Sequence, residues 1–172
     1  MTLRSFSSKQ PASLSGAMAS AFTAVVDRNL MDRSPRSRTA DIFREHDDAW
    51  RLDTDAAAQV ARRGLKAQVV EDWLAVSRLP KKGFYDGLRL SPSTLSRKGR
   101  DQPLDAAVTE RLVRQSDLMV RATEVFGEGA AAWMTKAHPL LGGLSPLDVA
   151  SNEYGGTQVR EILNAIHHGG VV

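Results

Sequence analysis

Between residues 91 and 100, "SPSTLSRKGR" sets Ser91, Ser93, Thr94 and Ser96 beside Arg97, Lys98 and Arg100. Short hydroxyls mixed with long cations suit hydrogen bonding to phosphate oxygens and to base edges in the major groove of DNA. Ser91 followed by Pro92 reads as the capped first turn of a short helix, which Leu90 and Leu95 anchor inward. Upstream, "PKKGFYDGL" reads as another short helix, with Lys81 and Lys82 at the end where backbone N–H groups favour phosphate. Two short helices joined by a tight turn make a helix-turn-helix, whose second helix lies in the groove. At the turn the pattern departs from the usual one, because Arg89 stands where Gly is common and Gly87 lies two residues earlier. A distorted turn is therefore expected. The plain alternative is a solvated, serine-rich face of an all-α domain.

Other chemistry finds no footing. The histidines are His46, His138, His167 and His168, and the adjacent pair cannot share a helix face as zinc ligands at i and i+4 do. They read instead as cations favouring the end of the last helix. There is no cysteine, which excludes disulfides and thiolate metal sites and fits a reducing compartment. "GGLS" and "YGG" lack the Lys and the spacing of a phosphate-binding loop, and no Ser-His-Asp set is legible. No catalytic residue, metal or cofactor is expected, so the chain reads as a binding protein and not an enzyme.

The elements that must position these residues are helical. Apolar residues at Phe22, Val25, Val26 and Leu30 predict a helix over 17–31; 39–50 and 55–65 read as two more, the latter capped by Thr54. Val69, Val70, Trp73, Leu74 and Val76 form a wide helical stripe, and Val108, Leu112, Met119, Ala122 and Phe126 mark a long core helix over 104–126. Ser145, Pro146 and Asp148 open a short helix, and Val159, Ile162, Leu163 and Ile166 define the last, which Gly169 ends. No strand is predicted, and the fold class is all-α. The Ser-rich first fifteen residues are expected to be disordered, and "DRSPRSRT" reads as a basic linker. The division expected is an extension over 1–65, a helix-turn-helix domain over 66–117 and a small helical domain over 118–172.

The net charge of +3 is unevenly spread. Residues 1–65 carry ten Lys/Arg against eight Asp/Glu, residues 66–114 ten against six, and residues 115–172 three against six. Basic charge thus gathers where a polyanion would dock. No apolar run reaches the roughly 18 to 20 residues of a membrane span. The N-terminus lacks acidic residues before Asp27 but holds only Arg4 and Lys9 up to that point, too few cations for a transit peptide. A cytoplasmic location is expected.

The C-terminal stretch "FGEGAAAWMTKAHPLLGGLSPLDVASNEYGGTQVREILNAIHHG" resembles the toxin-binding domain of Xre/MbcA/ParS-type antitoxins through Phe126, Trp133, Pro139, Leu141, Gly142, Gly143, Pro146, Gly156, Val159, Leu163, Ile166 and Gly169. A looser likeness to an Xre helix-turn-helix precedes it. The resemblance implies the antitoxin of a type II pair, partnered by a RES-domain toxin of ADP-ribosyltransferase-like fold that depletes NAD. It would cover the toxin's active site with its C-terminal domain and repress its own operon. A homodimer on a palindromic operator follows from paired half-sites. Toxin contacts are then expected at Leu140, Leu141, Gly142, Gly143, Pro146 and Leu147, at Tyr154, Gly155, Gly156, Arg160 and Leu163, and at His167, His168 and Gly169. Adjacent glycines let backbone approach another surface, and the surplus of leucines leaves some for an exposed patch. The alternative is a stand-alone regulator whose C-terminal module only dimerises or binds a small ligand.

Overall fold

The computed structural model describes residues 13–32, 42–47 and 49–170. The readings of a disordered leader and of a basic linker fall almost wholly outside those residues. Helices dominate: α1 (Leu14–Asn29), α2 (Thr54–Arg63), α3 (Gln68–Ser77), α4 (Lys81–Leu88), α5 (Pro92–Lys98), α6 (Ala106–Phe126), α7 (Ala130–Thr135), α8 (Pro146–Val149) and α9 (Glu153–His167). Between α1 and α2 stand two strands, β1 (Phe43–His46) and β2 (Ala49–Leu52), paired antiparallel with Phe43 opposite Leu52 and His46 opposite Ala49.

The strands correct the expected helix over 39–50 and the expectation of no strand. Tertiary packing decides here over local pattern. Phe43 and Ala49 are buried, and Phe22 of α1 meets Phe43 edge-on at 6.0 Å. The Trp50 N–H donates to Glu124 Oε1 of α6 at 3.2 Å, and Asp47 turns the chain with φ at 50°. A second correction is small: α2 is capped by Asp53, whose Oδ1 accepts the Ala56 N–H at 3.0 Å, and Thr54 is already helical.

Helix α6 is the axis. It packs against α1, α2, α4, α7, α9 and β2, so Val108, Leu112, Leu118, Met119, Val120 and Ala122 all disappear from solvent. Its polar residues are covered too and must find partners inside. Ser116 Oγ donates to the Val113 carbonyl at 2.7 Å and Thr123 Oγ1 to that of Met119 at 2.7 Å.

The segment before the helix-turn-helix is part of this core. Phe22 is fully buried and stands edge-on to Trp73 of α3 with centroids 4.7 Å apart. Backbone bonds tie the end of α1 to the start of the helix-turn-helix region: Met31 N to Gly64 O at 3.0 Å, Lys66 N to Asn29 O at 2.7 Å and Leu104 N to Leu65 O at 2.7 Å. Asn29 reinforces the joint by donating to Val25 O and to Asp72 Oδ2, each at 2.8 Å.

Removing the ring of Phe22 takes an aromatic side chain from a closed site between α1, α3 and the hairpin. Phe22→Ala is expected to cost about 3–5 kcal/mol, the range for buried Phe truncations. Urea unfolding of the full chain measures it, and a loss below about 1 kcal/mol would mean that α1 lies on the domain without supporting it.

Candidate functional sites

The helix-turn-helix forms as read, with α4 and α5 joined at Arg89. That residue adopts φ 50° and ψ 44°, and its N–H reaches back to the carbonyls of Tyr85 and Asp86. The turn is thus left-handed and closed, and Arg89 takes it at the steric cost Gly would avoid. Ser91 caps α5 by accepting the Thr94 N–H at 3.1 Å, and Leu95 is the buried anchor of that helix. Ser93, Thr94, Ser96 and Arg97 lie exposed on the outer side.

Several of the expected DNA-facing cations have internal partners. Lys82 Nζ lies 2.6 Å from Asp86 Oδ2, Lys98 Nζ 3.0 Å from Asp105 Oδ1 and Arg100 Nη2 3.6 Å from Glu71 Oε2. The hydrogen bond to Asp86 holds the Lys82 amine above the ordinary lysine range. Lys81 and Arg97 are exposed, and among the described residues no carboxylate forms an ion pair with either.

The C-terminal region holds a cinched loop. His138 N donates to Leu144 O at 3.0 Å and Gly143 N to His138 O at 3.1 Å, closing residues 138–144 at their base. Gly142 and Gly143 turn the chain at φ 65° and 79°, with open space where side chains would stand. Leu140 and Leu144 are left 49% and 55% exposed on this loop, while Leu141 is buried. Beneath it Trp133 stacks on Phe126 at 5.0 Å, and His138 meets the Trp133 ring edge-on at 6.0 Å. Ser145 caps α8, accepting the Asp148 N–H and donating to Asp148 Oδ2 at 2.6 Å.

The remaining residues expected at the toxin surface divide. Tyr154 is 91% exposed at the start of α9. His167, His168 and Gly169 are exposed at its far end, with the two imidazoles 5.1 Å apart. Pro146, Leu147 and Leu163 are buried. Leu147 fits against Gly83 and Gly87 of α4: an added methyl at Gly87 would stand 3.0 Å from Leu147 Cγ and 2.9 Å from Gln115 Nε2. Leu147 is therefore a peg between the helix-turn-helix and the C-terminal region. Gly155 and Gly156 do allow a close approach, but to this chain's own interior. A Cβ at Gly155 would fall 1.8 Å from Val149 O, and one at Gly156 2.6 Å from Arg114 Cδ.

Arg160 also faces inward, in an ionic cluster that the sequence reading missed. Asp117 of α6 is buried and accepts from Arg121 Nε at 2.9 Å and Arg160 Nε at 2.8 Å. Glu153 accepts from Arg114 Nε at 2.9 Å and Arg160 Nη1 at 3.2 Å, and Arg114 also pairs with Glu110. The i, i+4 spacings of Glu110 with Arg114 and of Asp117 with Arg121 were its sequence signal. Burial works against the charged form of Glu153, yet the hydrogen bonds from Arg114 and Arg160 outweigh it and hold the carboxyl below its usual range.

Comparison with known proteins agrees with this geometry. Residues 121–169 match the Antitoxin Xre/MbcA/ParS C-terminal toxin-binding domain, and residues 56–114 match the Antitoxin Xre-like helix-turn-helix domain. The chain belongs to the Xre-type antitoxins. The helix-turn-helix match ends and the C-terminal-domain match begins within α6, so one helix is shared by the two matched regions. Antitoxin Xre of Pseudomonas putida is 38% identical over 76 residues, which are 43% of this chain and 48% of that protein. The matched part thus spans about half the length of that relative. The Prs ADP-ribosylating antitoxin of Sphingobium sp. (strain YBL2) is 25% identical over 122 residues, 64% of this chain and 77% of that one. Among the described residues, no helix is long and apolar enough to cross a membrane.

A carboxylate whose folded pKa is depressed stabilises the fold above its unfolded value, near 4.5 for Glu153, and that contribution fades as pH falls through the lower folded value. The antitoxin should therefore lose thermal stability as pH drops below about 4.5. Glu153→Gln should be less stable at neutral pH and show a shallower decline of Tm between about pH 5 and 3. Parallel curves for the two proteins would rule out a stabilising role for this carboxylate.

Proposed function

We propose that this antitoxin neutralises a RES-domain toxin that consumes NAD, as one half of a type II pair in the cytoplasm, and represses its own operon as a homodimer. The observation that carries the reading is the cinched loop over 138–144. It presents Leu140 and Leu144 on either side of two glycines with no side chains. Such a ridge suits a narrow cleft, because bare backbone N–H and C=O groups can approach the walls while the flanking leucines bury apolar surface. Tyr154, almost wholly exposed, adds an aromatic anchor of the kind that dominates interfaces. Of the acidic residues beyond Gln115, Glu128, Asp148 and Glu161 stay exposed and would complement a pocket shaped for the phosphates of NAD. The name of the Sphingobium relative refers to ADP-ribosylation, and ADP-ribosyl transfer uses NAD as its donor. The antitoxin itself carries no enzymatic activity in this reading.

On the DNA side, Ser93, Thr94, Ser96 and Arg97 of α5 read the major groove, and Lys81 and Lys82 meet the backbone. Leu141, Leu147, Leu163 and Arg160 contribute by holding the toxin-facing backbone in place.

The direct test is NAD turnover by the cognate toxin with this chain added at equimolar ratio, where turnover should cease. Leu140→Asp combined with Leu144→Asp should restore turnover while leaving Tm and operator binding unchanged. Inhibition that survives both substitutions would move the toxin surface away from this loop. Conversely, Arg97→Ala should weaken operator binding by about tenfold or more, the scale of one specific contact, and leave inhibition intact.

A further inference from the structure

Arg89, in the helix-turn-helix turn, reaches the C-terminal half of the molecule. Its Nη2 donates to Ser151 Oγ at 3.1 Å, across 62 positions of sequence. Ser151 lies in the connection between α8 and α9, next to Asn152, which caps α9 through the Gly155 N–H. Arg89 also borders a shallow concavity of roughly 700 Å³ between α4 and the start of α5, shared with Lys81, Lys82, Tyr85, Asp86 and Ser91, where Asp86 is already paired with Lys82.

We propose that Arg89 is a phosphate-binding residue of the DNA face, and that Ser151, a positioning residue from the toxin-binding domain, holds its guanidinium ready. The inference rests on the DNA-binding reading of α5. Its first support is the kind of partner. Lys82, Lys98 and Arg100 each pair with a carboxylate, which offsets the charge a phosphate would seek. Ser151 is neutral, so it orients Arg89 and leaves the full positive charge in place. A guanidinium has five N–H donors in a planar fork, and one bond to a hydroxyl leaves enough for a bidentate grip on phosphate. Lys81 lines the same concavity and is a simple ammonium, so Arg89 is the residue there with a planar fork that can grip a phosphate at two oxygens.

The second support is conformational. Arg89 holds φ 50°, where Gly would fit without cost, and a phosphate contact of its side chain would offset the steric cost of keeping a long cation there. The same fact supplies a clean variant. Arg89→Gly removes the guanidinium while suiting the backbone, and Arg89→Asn is a second residue that tolerates this region.

The test is fluorescence anisotropy of the full chain on a labelled duplex from its own promoter region and on an unrelated duplex, from about 50 to 200 mM salt. Arg89→Gly and Arg89→Asn are expected to keep or raise Tm, to lose about tenfold in affinity, and to reduce the log–log salt slope by about one, as loss of one phosphate contact does. Ser151→Ala should lose affinity by a smaller factor with the slope kept, because the charge remains. Unchanged affinity and slope in both Arg89 variants, while Arg97→Ala is weakened, would overturn the role of Arg89 and leave the DNA reading standing. An unchanged Ser151→Ala would overturn the positioning part. If the unsubstituted chain does not prefer its own promoter duplex, the DNA reading falls and this inference with it.

Discussion

Everything in this antitoxin hangs on a helix that has no solvent face along most of its length. From Leu112 to Val120 every residue of α6 is buried, Arg114, Gln115, Ser116 and Asp117 among them. A carboxylate with 2% of its side chain exposed is tolerable only with full hydrogen bonding, and Arg121 and Arg160 supply it from one side each. Arg160 belongs to α9, and it also reaches Glu153 at the start of the same helix, where Arg114 of α6 meets it. The ionic cluster therefore fixes the register of α9 on α6, which apolar contacts through Val159, Ile162 and Leu163 would define less sharply. Removing one partner from such a set leaves an unpaired buried charge and is costly out of proportion to the net value of the pair.

The same axis explains why the two halves are not separable in space. The helix-turn-helix buries α4 against α6 and α8, and Leu147 sits in the furrow that Gly83 and Gly87 leave open. A Cβ at position 87 would press on both Leu147 and Gln115, so the spacing of the helix-turn-helix and the C-terminal region depends on the absence of one methyl group. Arg89 and Ser151 add a polar contact at the edge of the same joint. The helix-turn-helix and the C-terminal region thus share one core.

How much of this could be read from the chain depended on whether a signal was local. The caps at Ser91 and Ser145, the prolines behind them and the stripe through Val159, Ile162 and Leu163 are short-range features, and each element formed where they indicate. The exposed state of Leu140 and Leu144 matched a surplus of leucines over what a small domain needs. Long-range decisions were not legible. Phe43 and Trp50 sit in a stretch whose spacing permits a helix, and they became a hairpin because α1 and α6 offered Phe43 a pocket and Trp50 an acceptor in Glu124. The YGG glycines read as freedom to meet a partner, whereas the partner of both is this chain itself, at Val149 and Arg114. Leu147, one of the surplus leucines, and Leu163, a contact expected from the family resemblance although it lies on the apolar stripe of the last helix, are both interior.

The internal pairing of the basic residues shapes how this fold would meet DNA. A phosphate approaching Lys82, Lys98 or Arg100 must compete with Asp86, Asp105 or Glu71, each already within 3.6 Å or less of its cation. These pairs are solvent-exposed for the most part, so displacing a carboxylate costs little, but little is gained beyond an exchange of one anion for another. The released carboxylate then stands near the phosphodiester and repels it. The net electrostatic pull of the domain is accordingly smaller than its count of Lys and Arg suggests, and non-specific binding is weakened most, since that mode is almost purely electrostatic. The hydroxyls of Ser93, Thr94 and Ser96, which depend on base edges and geometry, are untouched by this cancellation. If α5 reads DNA, a helix whose cations are partly spent internally and whose recognition rests on short hydroxyls would gain specificity by lowering the non-specific background.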